Sequence, residues 1–297
     1  MLGIREKQGT KRNMQDVRFS FSCNAFVRYP INEALKKIAE IGYEGVELLA
    51  DAPHLYADSL SADELERLRA EIEGTGLKVA NINANTAMGY YGRDFWEPLF
   101  EPSLANPDRD LRRWRLDYSR KCVDLANFVG SPCVSVTSGR CVPDVEPKTS
   151  MTYLSESLME LVEYAERKSV CIGIEYEPGL LVECYHELAQ LLEDVKSPYL
   201  GANLDLGHSH VLGEDPKMVV SALAEKLFHI HIEDIRARKH YHLIPGKGDM
   251  NFVELLTILK GNDYKGFVTV ELYTYTDRPS EAARHAFEFL SGIQVGG

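Results

Sequence analysis

The amino-acid sequence predicts an α/β chain folded as a (β/α)8 TIM barrel. Three observations carry that expectation. Eight strand-like runs alternate with eight helix-like runs along 297 residues, a length near that of a typical barrel. No G-x-G-x-x-G follows the first strand and no Walker A motif occurs anywhere, which removes the common nucleotide-binding α/β alternatives. No stretch rich in Pro, Gly or Ser divides the chain. One barrel domain over 17–297 is therefore expected, behind a polar leader over 1–16 that reads as disordered or frayed.

Each element has its own signal. Residues 18–23 read as the first strand. The helix that follows, 32–41, stops at Gly42, a residue suited to the left-handed turn that ends a helix. The second strand, 45–50, precedes a helix over 62–73 with Ser61 as its cap. The third strand spans 77–84. The segment 85–108 is long for a connection and carries Tyr90, Tyr91, Phe95, Trp96 and Phe100, which predicts an aromatic lid-like insertion. A helix over 109–128, a strand over 132–137 and a helix over 153–167 follow. The remaining pairs are strand 170–177 with helix 184–194, strand 199–205 with helix 216–225, strand 227–233 with helix 251–260, and strand 266–272 with helix 280–290.

Composition narrows the function classes. A hydrophobic content of 44% is ample for one large core. A net charge of -12 repels nucleic-acid phosphate, so no nucleic-acid partner is expected. No apolar run approaches the roughly 20 residues of a membrane span, so no membrane partner is expected either. The six cysteines are scattered and form no C-x-x-C pair, which predicts reduced thiols and a cytoplasmic setting.

Chemistry in a barrel is sought where the strands end, at their C-terminal mouths. The stretch from Asn203 to His210 delivers Asp205 and His208 three residues apart, with Gly207 turning the chain between them. Alone it reads equally well as a helix cap with a locally packed histidine. Its partners give it weight. In the fifth strand, period two puts Cys171, Gly173, Glu175 and Glu177 on one face and the apolar residues on the other, so both glutamates should point inward. In the seventh, His229, His231 and Glu233 share a face; in the eighth, the lone carboxylate is Glu271. Four consecutive strands thus offer a Glu, an Asp, a His and a Glu, a donor set suited to Mn²⁺, Mg²⁺, Co²⁺ or Zn²⁺. These strands contain no Lys or Arg to pair the acids instead. The loop after the seventh strand adds Arg236, Arg238, Lys239, His240 and His242, which reads either as a substrate-binding loop or as a solvated basic loop.

Six segments carry a resemblance to a known family: 42–48, 172–175, 203–208, 229–234, 245–249 and 270–271. In this order and spacing the chain resembles the xylose isomerase-like barrels, specifically the sugar phosphate isomerase/epimerase family with its tagatose and psicose 3-epimerases, hydroxypyruvate isomerase and inosose dehydratase. The resemblance implies a divalent metal cation on Glu175, Asp205, His231 and Glu271, with Glu175 and Glu271 also acting as the acid/base pair. It implies that His208 and Arg236, or Arg238, contact a small-molecule sugar or polyol, with Glu177 and His242 as further substrate contacts. Whether Glu175 or Glu177 is the fifth-strand ligand stays open, and Glu183 would follow Glu177 at the family's spacing.

The activity so implied is metal-dependent isomerisation or epimerisation of a ketose or related polyol through a metal-stabilised enediolate. The alternative on the same site is dehydration of a keto-sugar or inosose. An endonuclease IV-like phosphodiesterase resembles a multi-zinc site with histidines on the third and fourth strands, and neither strand has one. The intact ligand set argues against a non-catalytic accessory subunit on the same fold; a homo-oligomer is compatible with the sequence, and nothing in it specifies the symmetry.

Overall fold

The computed structural model describes residues 17–92 and 100–294. The expected leader over 1–16, and Phe95 and Trp96 of the insertion, lie outside the described residues. The barrel strands are β1 (Arg18–Ser22), β2 (Gly45–Leu49), β3 (Lys78–Asn83), β4 (Cys133–Thr137), β5 (Cys171–Glu175), β6 (Leu200–Asp205) and β7 (Leu227–Ile232). A hairpin of β8 (Asp234–Arg236) and β9 (Lys239–Leu243) follows, and β10 (Phe267–Val270) is the last barrel strand. All barrel pairings are parallel and the sheet closes in the order β1-β10-β7-β6-β5-β4-β3-β2. The expected (β/α)8 TIM barrel is the observed fold.

The helices are α1 (Ile31–Ile41), α2 (Ala62–Thr75), α3 (Met88–Tyr91), α4 (Arg109–Val129), α5 (Pro147–Arg167), α6 (Tyr185–Val195), α7 (Leu206–Leu212), α8 (Pro216–Leu223), α9 (Phe252–Gly261) and α10 (Pro279–Ser291). Gly42 ends α1 with φ 115° and its N–H on Ala39 O, as its position predicts. Ser61 caps α2 in a full capping box with Glu64. α5 starts at Pro147, earlier than the expected 153, because proline's missing N–H is harmless in a first turn. β5 stops at Glu175, so the expected strand to 177 is too long. The sequence offers no counterpart for α3 or the β8–β9 hairpin, and foreshadows α7 only as a helix that Asp205 would cap.

The main hydrophobic core lies between sheet and helices, where Val46, Ile82, Val134, Ile172, Leu204, Ile230 and Val268 join Leu35, Leu154, Leu158 and Leu188 in one buried cluster. The lumen below the mouth is polar. Glu47 on β2 meets His229 and His231 on β7 across it, and Asn81 donates to Glu47 and to Ser135 at 2.8 and 2.9 Å. Thr269 Oγ1 hydrogen-bonds both Ser20 Oγ and His229 Nε2.

The chain leaving β3 is clamped. Arg115 of α4 is buried and donates to the carbonyls of Ala84, Asn85 and Thr86 at 2.6, 2.9 and 2.8 Å. Asp51 accepts from Thr86 Oγ1 and from the amides of Met88 and Gly89. Tyr90, Trp114, Tyr118 and Tyr56 form a run of ring contacts with centroids 4.4 to 5.3 Å apart. No helix among the described residues is long and apolar enough to cross a membrane.

Candidate active site

Glu175, Asp205, His231 and Glu271 converge at the C-terminal mouth of the barrel. Each is buried, and each offers one ligand atom within 4.8 Å of the others. The pleat explains the convergence: Glu175 and Asp205 end β5 and β6, His231 is the penultimate residue of β7, and Glu271 follows β10 directly.

Each carboxylate has its second oxygen held by donors of the chain. Glu175 Oε2 accepts from Asn85 and Asn203, leaving Oε1 facing His231 Nδ1 at 3.1 Å. Glu271 Oε1 accepts from Asn24 and Asn83 at 2.8 and 3.2 Å, leaving Oε2 3.7 Å from His231 Nδ1. Asp205 Oδ1 accepts from the His208 amide at 2.8 Å and so caps α7, while Oδ2 has no hydrogen-bond partner among the described residues. The capping and ligand readings of Asp205 are thus not rivals, because each uses a different oxygen.

His231 is fixed from behind. Its Nε2–H donates to Glu47 Oε2 at 2.6 Å, which turns Nδ1 toward the three carboxylates. A metal-ligating histidine characteristically donates its other ring N–H to such a partner. Burial opposes a charge on His231, but Glu47, Glu175 and Glu271 together hold its pKa well above the usual imidazole value. A proton on Nδ1 then stands where a cation would. Burial raises the Glu271 carboxyl well above the usual range, reinforced by the Glu175, Glu47 and Asp205 charges and opposed by His231. Burial works the same way on Asp205, yet His208, His242 and His231 hold it low. The donor set, the fixed orientations and the orphaned Asp205 Oδ2 fit a divalent cation.

The other expected residues divide. His208 borders the group: Nδ1 donates to Tyr176 O at 3.1 Å, and Nε2 is 3.8 Å from Asp205 Oδ2. His242 is buried, with Nδ1–H donated to Glu271 O at 2.9 Å, and burial lowers its pKa to about 3. Glu177 lies past the end of β5, beside the group and outside it; burial, with Glu175 and Asp205, pushes its carboxyl up to about 7 against the pull of His208. Glu183 is exposed and accepts from the Gly179 amide. Arg236 is not brought to the group: its exposed guanidinium donates to Lys247 O.

Sequence reasoning passed over Glu47, Glu233 and the asparagines that orient the acids. The asparagines had a signal: Asn81, Asn83 and Asn85 recur with period two along β3 and its exit. Glu233 was visible on the face of His231 but was given no role.

Residues 35–293 match the family described as the xylose isomerase-like TIM barrel, and the chain belongs to it. A fructoselysine 3-epimerase of Shigella flexneri is 28% identical over 273 residues, covering 90% of this chain and 94% of that protein. A 3-dehydroshikimate dehydratase of Pseudomonas putida is 23% identical over 272 residues, 88% of this chain and 39% of that longer protein. Among solved structures, a D-psicose 3-epimerase in the presence of D-fructose has a TM-score of 0.78 at 14% identity, covering 94% of this chain and all of that one. An IolI protein with a bound zinc atom has a TM-score of 0.76 at 18% identity with the same coverage. These structures share the fold.

Proposed function

We propose that this protein is a divalent-metal-dependent isomerase or epimerase of a ketose or related polyol, with Glu175 and Glu271 as its acid and base. The observation that carries the reading is the group of Glu175, Asp205, His231 and Glu271, in which all four outward-facing atoms are tied and all four inward atoms meet. The fructoselysine 3-epimerase relative supports a keto-sugar as the substrate class, and the zinc in the IolI structure supports a transition metal in this fold.

A divalent cation held by these four residues would supply Lewis acidity to a substrate carbonyl oxygen, lowering the cost of removing the neighbouring C–H proton. The chain does the rest. Glu175 Oε1 and Glu271 Oε2 stand 3.1 and 3.7 Å from His231 Nδ1. One takes the proton α to the carbonyl and the other returns one. Return to the opposite face of the same carbon gives an epimer; return to the adjacent carbon, with the neighbouring hydroxyl proton passing to the former carbonyl oxygen, gives an isomer. The amides of Asn24, Asn83, Asn85 and Asn203 hold the two carboxylates in place without competing for the proton, so transfer falls to Glu175 Oε1 and Glu271 Oε2. His208 and Glu177, bordering the group, contact substrate hydroxyls.

The test is a ketose panel in D2O with Mn²⁺-loaded protein, read by mass spectrometry and NMR. Wild type should incorporate solvent deuterium, and Glu271→Gln should fold normally and incorporate none. Unchanged exchange in Glu271→Gln rejects the assignment. The dehydratase relative favours a second reading in which the same proton abstraction expels a hydroxyl; a product lighter by one water selects it.

A further inference from the structure

We propose that a phosphate monoester of a small organic molecule binds in a cavity behind the β8–β9 hairpin, outside the barrel mouth. The cavity has a volume of about 570 Å³, and Arg236, Lys247, Arg278 and His285 line it. Glu281 is the one acid in the lining, and it pairs with Arg278 at 3.6 Å.

The hairpin separates this cavity from the candidate active site. On β9, ring nitrogens of His240 and His242 come together with one of His208 at the mouth. Tyr241 and Leu243 alternate with them and line the cavity behind. None of Glu175, Asp205, His231 and Glu271 lines it. Arg236, which the sequence suggested for substrate, belongs to this back face instead.

The walls of the cavity are built. The turn after β9 is organised by buried Asp234, whose Oδ2 accepts from the Gly246 and Gly248 amides at 2.9 and 2.6 Å and whose Oδ1 accepts from the Met250 amide at 3.2 Å. That turn carries Lys247, and the Lys247 carbonyl accepts from the Arg236 guanidinium, which brings the two residues to one edge. A Cβ on Gly246 would stand 2.7 Å from the Phe289 ring, so glycine lets the turn seat against α10. Arg278 and His285 come from the opposite wall, α10 and the residue before it.

Charge and size define the ligand. The chain carries a net charge of -12, so three permanent cations around one acid run against its composition. Neither Lys247 nor His285 has an ion-pair partner among the described residues. Asp249 also attracts Arg236, but its oxygens are taken by His210 and the Ala237 amide. Cations gathered in this way repel one another until an anion joins them. Arginine supplies a planar fork and lysine a point charge, a combination suited to phosphate. A cavity of this size takes an organic molecule and not the ion alone. Tyr241 and Tyr275 offer it ring faces.

The experiment is calorimetric titration of the chelator-stripped full chain with glucose 6-phosphate, and separately with inorganic phosphate and with glucose. Wild type should bind the ester, inorganic phosphate more weakly, and glucose not measurably. Lys247→Gln and Arg278→Gln, both at exposed positions and checked by circular dichroism, should each weaken ester binding by about 10-fold. No ester binding by wild type overturns the site. Unchanged ester binding in the double variant also overturns it, because the ester then lies elsewhere. Inorganic phosphate binding as tightly as the ester overturns the organic ligand. If Arg278→Gln misfolds, Lys247→Gln decides alone.

Discussion

Replacing Glu47 by Gln tests whether the site depends on the residue behind it. Glu47 Oε2 accepts from His231 Nε2 at 2.6 Å, His229 Nε2 at 3.2 Å and Asn81 Nδ2 at 2.8 Å, and Oε1 accepts from Asn83 Nδ2 at 3.3 Å. A Gln side chain has one acceptor oxygen. If it replaces Oε2, its NH2 is turned on the Asn83 amide, donor against donor. If it replaces Oε1, the NH2 confronts three donors. The His231 contact also drops from charge-assisted to neutral, a loss of about 1–2 kcal/mol. Removing such an outer partner weakens metal binding by about 10- to 100-fold, or about 1.4–2.8 kcal/mol by the same scale. Competition between the stripped protein and a fluorescent Mn²⁺ chelator should show a loss in that range, with the secondary structure intact. The acid limb of the stability curve should change too. Burial opposes the Glu47 charge, but His231 and His229 hold its pKa well below the usual value. Its contribution is therefore present above the ordinary carboxylate range and lost as pH falls through the lowered folded value. Glu47→Gln should lose that segment of the pH dependence. Wild-type Mn²⁺ affinity in a folded Glu47→Gln variant would refute the claim that Glu47 orients His231.

Other perturbations test the frame. Arg115→Met keeps the stem but strands three carbonyls, and should cost about 3–5 kcal/mol in urea unfolding, as for a broken buried polar network. It should also weaken Mn²⁺ binding, because Asn85 orients Glu175. Glu177→Gln tests a raised carboxyl: in metal-free wild type, stability should fall as pH rises from the unfolded value of about 4.5 toward the folded value of about 7. The variant should therefore match wild type at pH 4 and exceed it at pH 8, by at most about 3 kcal/mol; equal urea midpoints at both pH values would count against the shift. In Gly201→Ala the new Cβ would lie 2.2 Å from the Lys226 carbonyl oxygen, backbone that cannot swing away, so a loss of about 3 kcal/mol or more in thermal or urea unfolding is expected.

How much of this could be read beforehand depended on the range of the signal. The barrel strands announce themselves locally, because a strand buried on both faces is a short apolar run between turn residues. The four converging residues are legible for the same reason: each is a polar exception at the end of such a run. α7 was marked only by its cap, Asp205, because it is seven residues long and develops no apolar stripe. The β8–β9 hairpin was missed because its residues are charged and it stands outside the barrel sheet. Glu175 and Glu177 could not be told apart by period two, which ranks them equally; the end of β5 separates them. Glu47 was illegible for a deeper reason. In its own strand it is a lone acid among apolar neighbours, and its partner His231 is 184 residues away. Only closure of the barrel makes them face each other.

That closure also explains why the site has its polar floor. Parallel strands splay side chains inward, and an aliphatic layer beneath the acids would leave His231 Nε2–H without an acceptor in a region closed to water. Glu47 supplies that acceptor and must itself be satisfied, which His229 and the Asn81 and Asn83 amides do. His229 then engages Thr269, and Thr269 engages Ser20, which carries the network to β1. Orientation at the mouth is thus set by hydrogen bonds reaching down through the lumen and up to the exits of β3 and β6. Loosening any one of them should show first in metal affinity, before the apolar core between sheet and helices registers a change.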